Sequence, residues 1–168
     1  MIKIVITGPE STGKTTLAMQ LSTYFKTVWV SEYARRYIDQ LNQPYGFDDL
    51  EKIAKGQLEL EDKKLLLAKK LIFCDTDLLT IKIWSEVKFN KCSKWIQKQV
   101  EERYYDHYLL CKPDLPWEYD PQREHPEQRN ELFFLYEKEL KKYGKSFSII
   151  EGAGEQRLNN AIKVIQYH

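Results

Sequence analysis

A lysine and a hydroxyl residue closing a glycine-bounded loop are the residues of this chain best suited to chemistry on phosphate. Gly8-Pro9-Glu10-Ser11-Thr12-Gly13-Lys14-Thr15 matches G-x-x-x-x-G-K-[ST] at every required position. Gly8 and Gly13 allow the chain to curl so that backbone N–H groups surround the β-phosphate of a nucleotide. Lys14 then reaches the β/γ oxygens, the Thr15 hydroxyl joins a Mg²⁺ shell, and the helix N-terminus adds its dipole. Glu10, Ser11, Thr12 and Thr16 complete the stretch expected to hold ATP. Ile2, Ile4, Val5 and Ile6 before the loop make a short apolar run, as a strand buried on both faces does, and the segment after it is apolar-periodic. Strand, loop and helix in that order are the context the motif requires.

Other candidates stand at the ends of apolar runs. Asp75 closes LIFCD, the pattern whose carboxylate holds Mg²⁺, often through water; capping the next helix is the alternative. Asp77 fits such a cap or a substrate-binding role equally well. Glu32 ends VWVSE and could take the proton of an acceptor hydroxyl, or simply favour a helix dipole. Tyr33 and Arg36 follow it and join the substrate-binding candidates. Arg123 and Arg129 lie in a proline-broken stretch, about 113–130, placed as an arginine-bearing lid over the phosphates. His125 between them reads as a solvated loop residue. Trp117 and Asp120 could offer a ligand a flat aromatic face and a carboxylate, or Trp117 could anchor the loop to the core.

Absent motifs narrow the chemistry. Asn90-Lys91-Cys92-Ser93 lacks the Asp of a guanine-reading N-K-x-D, and Leu78 stands where D-x-x-G needs glycine. A signalling GTPase is disfavoured. Motor ATPases place a Glu after the magnesium Asp to polarise water, and here that residue is Thr76. A small kinase that excludes water and offers another acceptor is left.

The elements must bring these residues together. Strands are expected at 2–6, 27–30, 71–74, 108–111 and 147–150, with helices at 16–25, 33–38, 47–70, 78–89, 93–104, 127–143 and a closing helix around Leu158, Ala161, Ile162 and Ile165. Strands alternating with helices imply an α/β fold: a three-layer αβα sandwich around a five-stranded parallel sheet, with a lid segment. Ligands then sit beyond the carboxyl ends of the strands. The 168 residues, 42% hydrophobic, suit one domain spanning 1–168. A net charge of +1 gives no bulk case for nucleic acid or an anionic membrane. Cys74, Cys92 and Cys111 are odd in number and never spaced C-x-x-C, which fits a reduced, cytoplasmic setting. The apolar strand at the N-terminus is read as core, not as a leader, and no run approaches membrane-spanning length.

GPESTGKTTLA, WVSEYARRY, IAKGQ, FCDTDLLTIKIWSE, YLLCKPDLPWEYDPQREHPEQR and IIEGAGEQR together resemble the ribosylnicotinamide kinase domain of NadR-like NAD-salvage proteins, from about Ile4 to Arg157. DTDLLT and PDLPWEYDPQRE are the telling stretches; the phosphate loop alone is unspecific. The resemblance implies a P-loop NTPase fold and transfer of the γ-phosphate of ATP, with Mg²⁺, to the 5′-hydroxyl of nicotinamide riboside. Lys14, Thr15 and Asp75 would hold the metal-bound triphosphate, and Glu32 or Asp75 would orient and deprotonate the hydroxyl. Trp117 with Asp120 would hold the riboside, and adenine contacts near Gly154 and Arg157 follow by similarity to small kinases. Relatives often carry an H-x-G-H nucleotidyltransferase domain. His107, His125 and His168 form no such motif, so adenylyl transfer is not expected unless a partner chain supplies it. Another nucleoside or small metabolite as acceptor, or an ATP-binding regulatory module, is the alternative.

Overall fold

In the computed structural model, which describes residues 1–167, five strands form one parallel sheet in the order β2-β3-β1-β4-β5. These are β1 (Ile2–Thr7), β2 (Val28–Val30), β3 (Leu71–Asp75), β4 (His107–Cys111) and β5 (Phe147–Ile150). Between and after them run α1 (Lys14–Tyr24), α2 (Tyr33–Gln40), α3 (Phe47–Leu65), α4 (Leu78–Phe89), α5 (Lys94–Glu102), α6 (Arg129–Lys142) and α7 (Gly154–Gln166). The expected parallel sheet with helical layers on both faces is thus the observed architecture.

Side-chain alternation along the strands explains the two layers. Ile4 and Ile6 point to one face with Phe73 and Leu109, where they meet Leu17, Ala18 and Leu21 of α1 and Ala161 and Ile162 of α7. Val5, Cys74, Tyr108 and Leu110 point to the other, against Leu50, Ile53 and Ala54 of α3, Leu79 of α4, Ile96 of α5 and Phe133 of α6. The Val, Leu, Ile and Phe side chains among these each stabilise the fold by roughly 1.5–3 kcal/mol when fully buried. Register places Ile6 opposite both Asp75 of β3 and Leu109 of β4. The chain order reverses around β1, so the loop after β1 opens at the switch point where such sheets bind ligands.

Some expected boundaries move. α3 stops at Leu65 instead of running to 70, because the chain must turn before entering β3. Leu66 and Leu67 are left 86% and 66% exposed, although their composition suits a helix. α1 begins at Lys14, two residues early, since Gly13 in left-handed geometry starts it directly from the loop. α6 begins at Arg129, after the proline-rich stretch, and β4 gains His107, whose buried ring bonds Ser146 and Ser148. His168 lies outside the described residues.

Candidate active site

The loop after β1 needs its glycines for backbone geometry. Gly8, Ser11 and Gly13 all take positive φ, at 135°, 55° and 73°. A Cβ at Gly8 would stand 2.7 Å from the Cys111 carbonyl oxygen, so β4 can approach only a glycine here. The Thr12 hydroxyl and the Lys14 ammonium both donate to the Pro9 carbonyl, at 2.8 and 2.7 Å.

Asp75 reaches this loop from the end of β3. Its Oδ2 accepts the Thr15 hydroxyl at 2.6 Å, while Oδ1 is buried with no hydrogen-bond partner among the described residues. Burial, and then the nearby Glu32 carboxylate, push the Asp75 carboxyl up to about 6. An unpartnered carboxylate oxygen beside a loop threonine fits a magnesium shell, which is typically one or two protein oxygens plus water and phosphate. Thr76, next in sequence, has φ 69° and donates its N–H to the Ile6 carbonyl. That left-handed turn separates the two aspartates. Asp77 enters the core, where it accepts the Tyr108 hydroxyl at 2.8 Å and caps α4 through the Thr80 N–H.

The proline-broken segment between β4 and α6 lies down on the phosphate loop. The Ser11 hydroxyl accepts the Glu118 N–H at 2.9 Å and Arg123 Nη1 at 3.4 Å, and Arg129 Nη1 donates to the Ser11 and Leu115 carbonyls. Glu10 accepts the backbone N–H groups of Glu124 and His125. The Trp117 ring faces both guanidinium groups, 5.9 Å from that of Arg123 and 5.7 Å from that of Arg129. Further along, Glu124 is clasped by Lys88 of α4 and the Tyr45 hydroxyl, at 2.5 and 2.9 Å. Asp120 pairs with Arg35 of α2 at 2.7 Å; that guanidinium, with the Gln122 N–H, holds Asp120 below the usual carboxylate range.

Beneath the segment is a cleft of about 470 Å³. One end is charged, formed by the phosphate loop with Lys14, Glu32, Arg35 and Arg123. The other is uncharged, formed by Ile38 of α2, Ile83, Trp84 and Val87 of α4, and Leu132 and Tyr136 of α6. A second cavity of about 460 Å³, lined by Thr15, Glu32, Arg35, Arg36, Asp39 and Asp75, opens on the α2 side. The arrangement can hold a polyanion against an apolar partner and shield both from water.

A family model described as an AAA domain, AAA_28, matches residues 3–157. The chain belongs to this family. This AAA-domain protein is 30% identical over 120 residues to the trifunctional NAD biosynthesis/regulator protein NadR of Escherichia coli K12, and equally to that of Salmonella typhimurium LT2. The match covers 68% of this chain and 29% of either relative. The fold superposes on a NadR protein in complex with NR with TM-score 0.84 at 21% identity, covering 99% of this chain and 51% of that one. A deoxyadenosine kinase from M. mycoides gives 0.69 at 15% identity, covering 99% of this chain and all of that one. The AAA-domain protein therefore spans under a third of its curated relatives and about half of the NadR structure. The resemblance expected from the sequence and the P-loop kinase architecture both hold.

Gly8, Glu10, Ser11, Thr12, Gly13, Lys14, Thr15, Thr16, Glu32, Arg123, Gly154 and Arg157 all line the first cleft. Five of the expected site residues are engaged by the protein itself. Asp77 is 3% exposed and committed to Tyr108 and the α4 cap, so it does not face a ligand. Tyr33 packs on Gly56 of α3, and its N–H donates to Gln57. Trp117 faces two cations and Asp120 an arginine, and neither lines either of these two cavities. Arg157 is 3% exposed, with its guanidinium committed to the Thr12, Lys112 and Gly152 carbonyls and Asp114; it braces the phosphate loop from behind. Arg36 borders the second cavity, but its neighbour Arg35 ties Glu32 to Asp120 and lines both cavities. The sequence reading missed Arg35, the docking of Glu10 and Ser11, and the buried His125 ring nitrogen. No helix among the described residues is long and apolar enough to cross a membrane.

Proposed function

We propose that this protein is a cytoplasmic, ATP-dependent kinase that phosphorylates the 5′-hydroxyl of nicotinamide riboside to give nicotinamide mononucleotide. The observation that carries the reading is the cleft of about 470 Å³, lined by the phosphate loop and Arg123 together with the uncharged side chains of α2, α4 and α6. Similarity to NadR proteins, one in complex with NR and another with NAD and AMP-PNP, supports this choice of ligands.

Lys14 and the loop amides hold the triphosphate, with Thr15 and the free Oδ1 of Asp75 on the metal side. Mg²⁺, when bound, neutralises charge on the β- and γ-phosphates. Glu32 borders both cavities and accepts the proton of the attacking hydroxyl, because Asp75 is already engaged with Thr15. Arg123 and Arg129 act on the transferring phosphoryl, and the 113–130 segment serves as the lid. The 168 residues hold no H-x-G-H motif, and adenylyl transfer to NAD is not part of this proposal.

Coverage of a whole deoxyadenosine kinase by the same fold favours, as a second reading, a different nucleoside acceptor. ATP consumption across nicotinamide riboside, adenosine, deoxyadenosine, thymidine and uridine tests both. The Lys14→Ala protein serves as blank, folded but inactive, since Lys14 makes one contact within its own loop. Preferential turnover of nicotinamide riboside supports the proposal. Turnover of an ordinary nucleoside with none of the riboside overturns it, and acceptor-independent hydrolysis alone points to a regulatory ATPase module.

A further inference from the structure

Among the described residues, two buried side-chain polar atoms have no hydrogen-bond partner: Oδ1 of Asp75 and Nε2 of His125. Buried polar groups are paired in nearly every case, so an unpaired one on a residue that lines a cleft calls for a partner. The metal accounts for the first. His125 lines the cleft, and nothing in the chemistry above uses it.

Its neighbours place it. The His125 N–H donates to Glu10, at the tip of the phosphate loop, and Glu124 is clasped to Tyr45 and to Lys88 of α4. Trp84, one turn before Lys88, donates its indole N–H to the same Tyr45 hydroxyl and lines the uncharged wall. The backbone of His125 is thus held at the junction between the phosphate loop and that wall. Arg123 and Arg129 bond Ser11, on the phosphate side.

We infer that His125 is a specificity-determining residue whose Nε2 hydrogen-bonds an uncharged polar group of the acceptor nucleoside, an amide or a hydroxyl, and not the triphosphate. The inference rests on the kinase reading for the identity of the ligand. It requires no proton transfer, because a neutral imidazole can donate or accept through Nε2 according to its tautomer. A site that pairs a polar group of its substrate rejects analogues lacking it far better than apolar packing does.

The test uses the full chain, with calorimetry on nicotinamide riboside and on AMP-PNP, and turnover alongside. His125→Phe keeps a flat ring and removes the nitrogens; His125→Gln returns a polar atom at about the reach of Nε2. Riboside affinity should fall about tenfold or more in the Phe variant and recover in part in the Gln variant, with AMP-PNP affinity unchanged within about twofold. Wild-type riboside affinity in the Phe variant, an equal loss for AMP-PNP, or a Gln variant as weak as Phe would each overturn the inference. Should the Phe variant not fold, the His125 ring-nitrogen resonances of the wild type must move with riboside and not with AMP-PNP; unmoved resonances overturn it. His125-dependent riboside binding without phosphate transfer would sink the kinase reading and support this one. Turnover of the riboside at wild-type efficiency by the Phe variant does the reverse, and a wild type that binds no nucleoside overturns both.

Discussion

Removing the charge of Asp75 should make the metal-free protein more stable while ending its phosphoryl transfer. Asp75 is 1% exposed, and only one of its two oxygens has a partner. Its carboxyl rises from 3.8 to about 6, through burial first and the Glu32 carboxylate second. At about 1.4 kcal/mol per unit, that rise weakens folding by about 3 kcal/mol once Asp75 is ionised. The sign follows from where the proton is held. The folded value exceeds the unfolded one, so between them the folded chain binds more protons. Stability is therefore fully present below about 4 and is lost as pH rises through about 6.

Asparagine keeps an acceptor for the Thr15 hydroxyl and cannot ionise. With a chelator at about pH 7.5, Asp75→Asn should melt roughly 6–12 °C above wild type, taking about 2–4 °C per kcal/mol for a chain of this size. Near pH 4.5 the difference should shrink to about 1 kcal/mol, because most of the window has then been left behind. Asp77 carries a similar rise, so the comparison between variant and wild type at each pH isolates Asp75. Thermal melts across that pH range, followed by circular dichroism, measure the effect. A variant that melts below wild type at neutral pH, or a gap that does not change with pH, refutes the reasoning. Added Mg²⁺ with nucleotide should narrow the gap by stabilising only the wild type.

Arg123→Ala should lower kcat by about 10³ or more with little change in riboside KM, as the loss of a transition-state arginine does, and Arg→Lys should restore only part of it. Arg129→Ala should act in the same direction but also loosen the segment, since Arg129 bonds both the Ser11 and Leu115 carbonyls; limited proteolysis between residues 113 and 128 would show this. Near wild-type kcat in the double Ala variant counts against both roles. Gly56→Ala would put a Cβ 2.2–2.7 Å from the Tyr33 ring, so urea unfolding should show about 1–3 kcal/mol lost, recovered in part by a smaller residue at 33. Breaking the Lys88–Glu124 clasp by Lys88→Met should raise ATP hydrolysis relative to transfer by admitting water, and the swap Lys88→Glu with Glu124→Lys should reverse it.

The elements with strong local signals were legible. An apolar run feeding a glycine-bounded loop specified β1, the loop and α1, and alternating strands and helices specified the parallel sheet. The placement of two arginines was also legible: Arg123 sits on the loop and Arg129 opens α6, and among the described residues neither forms an ion pair with the nearby glutamates. Contacts that join distant parts of the chain were not. Glu10 meets residues 124 and 125, and Arg35 meets Asp120, through packing that no local pattern encodes. For Trp117 the sequence allows a ligand's aromatic face and a loop anchor equally, because an exposed loop tryptophan and a stacked one look alike; only the structure brings the Arg123 and Arg129 guanidinium groups to 5.9 and 5.7 Å from its ring.

Asp75 and Asp77 show most clearly where the sequence falls short. Residues i and i+2 of an extended strand face the same side, so DTD at a strand end offers both carboxylates to one ligand. What separates them is the backbone of the residue between. Thr76 takes φ 69°, a conformation unfavourable for a β-branched side chain, and is 3% exposed. Its N–H donates to Ile6 at 3.0 Å, while Asp75 is drawn to Thr15 and Asp77 to Tyr108. These three bonds come from β1, α1 and β4, and none is visible until the strands are ordered side by side. The strain at Thr76 is thus held by tertiary bonds, and it leaves one aspartate for chemistry and the other for the core.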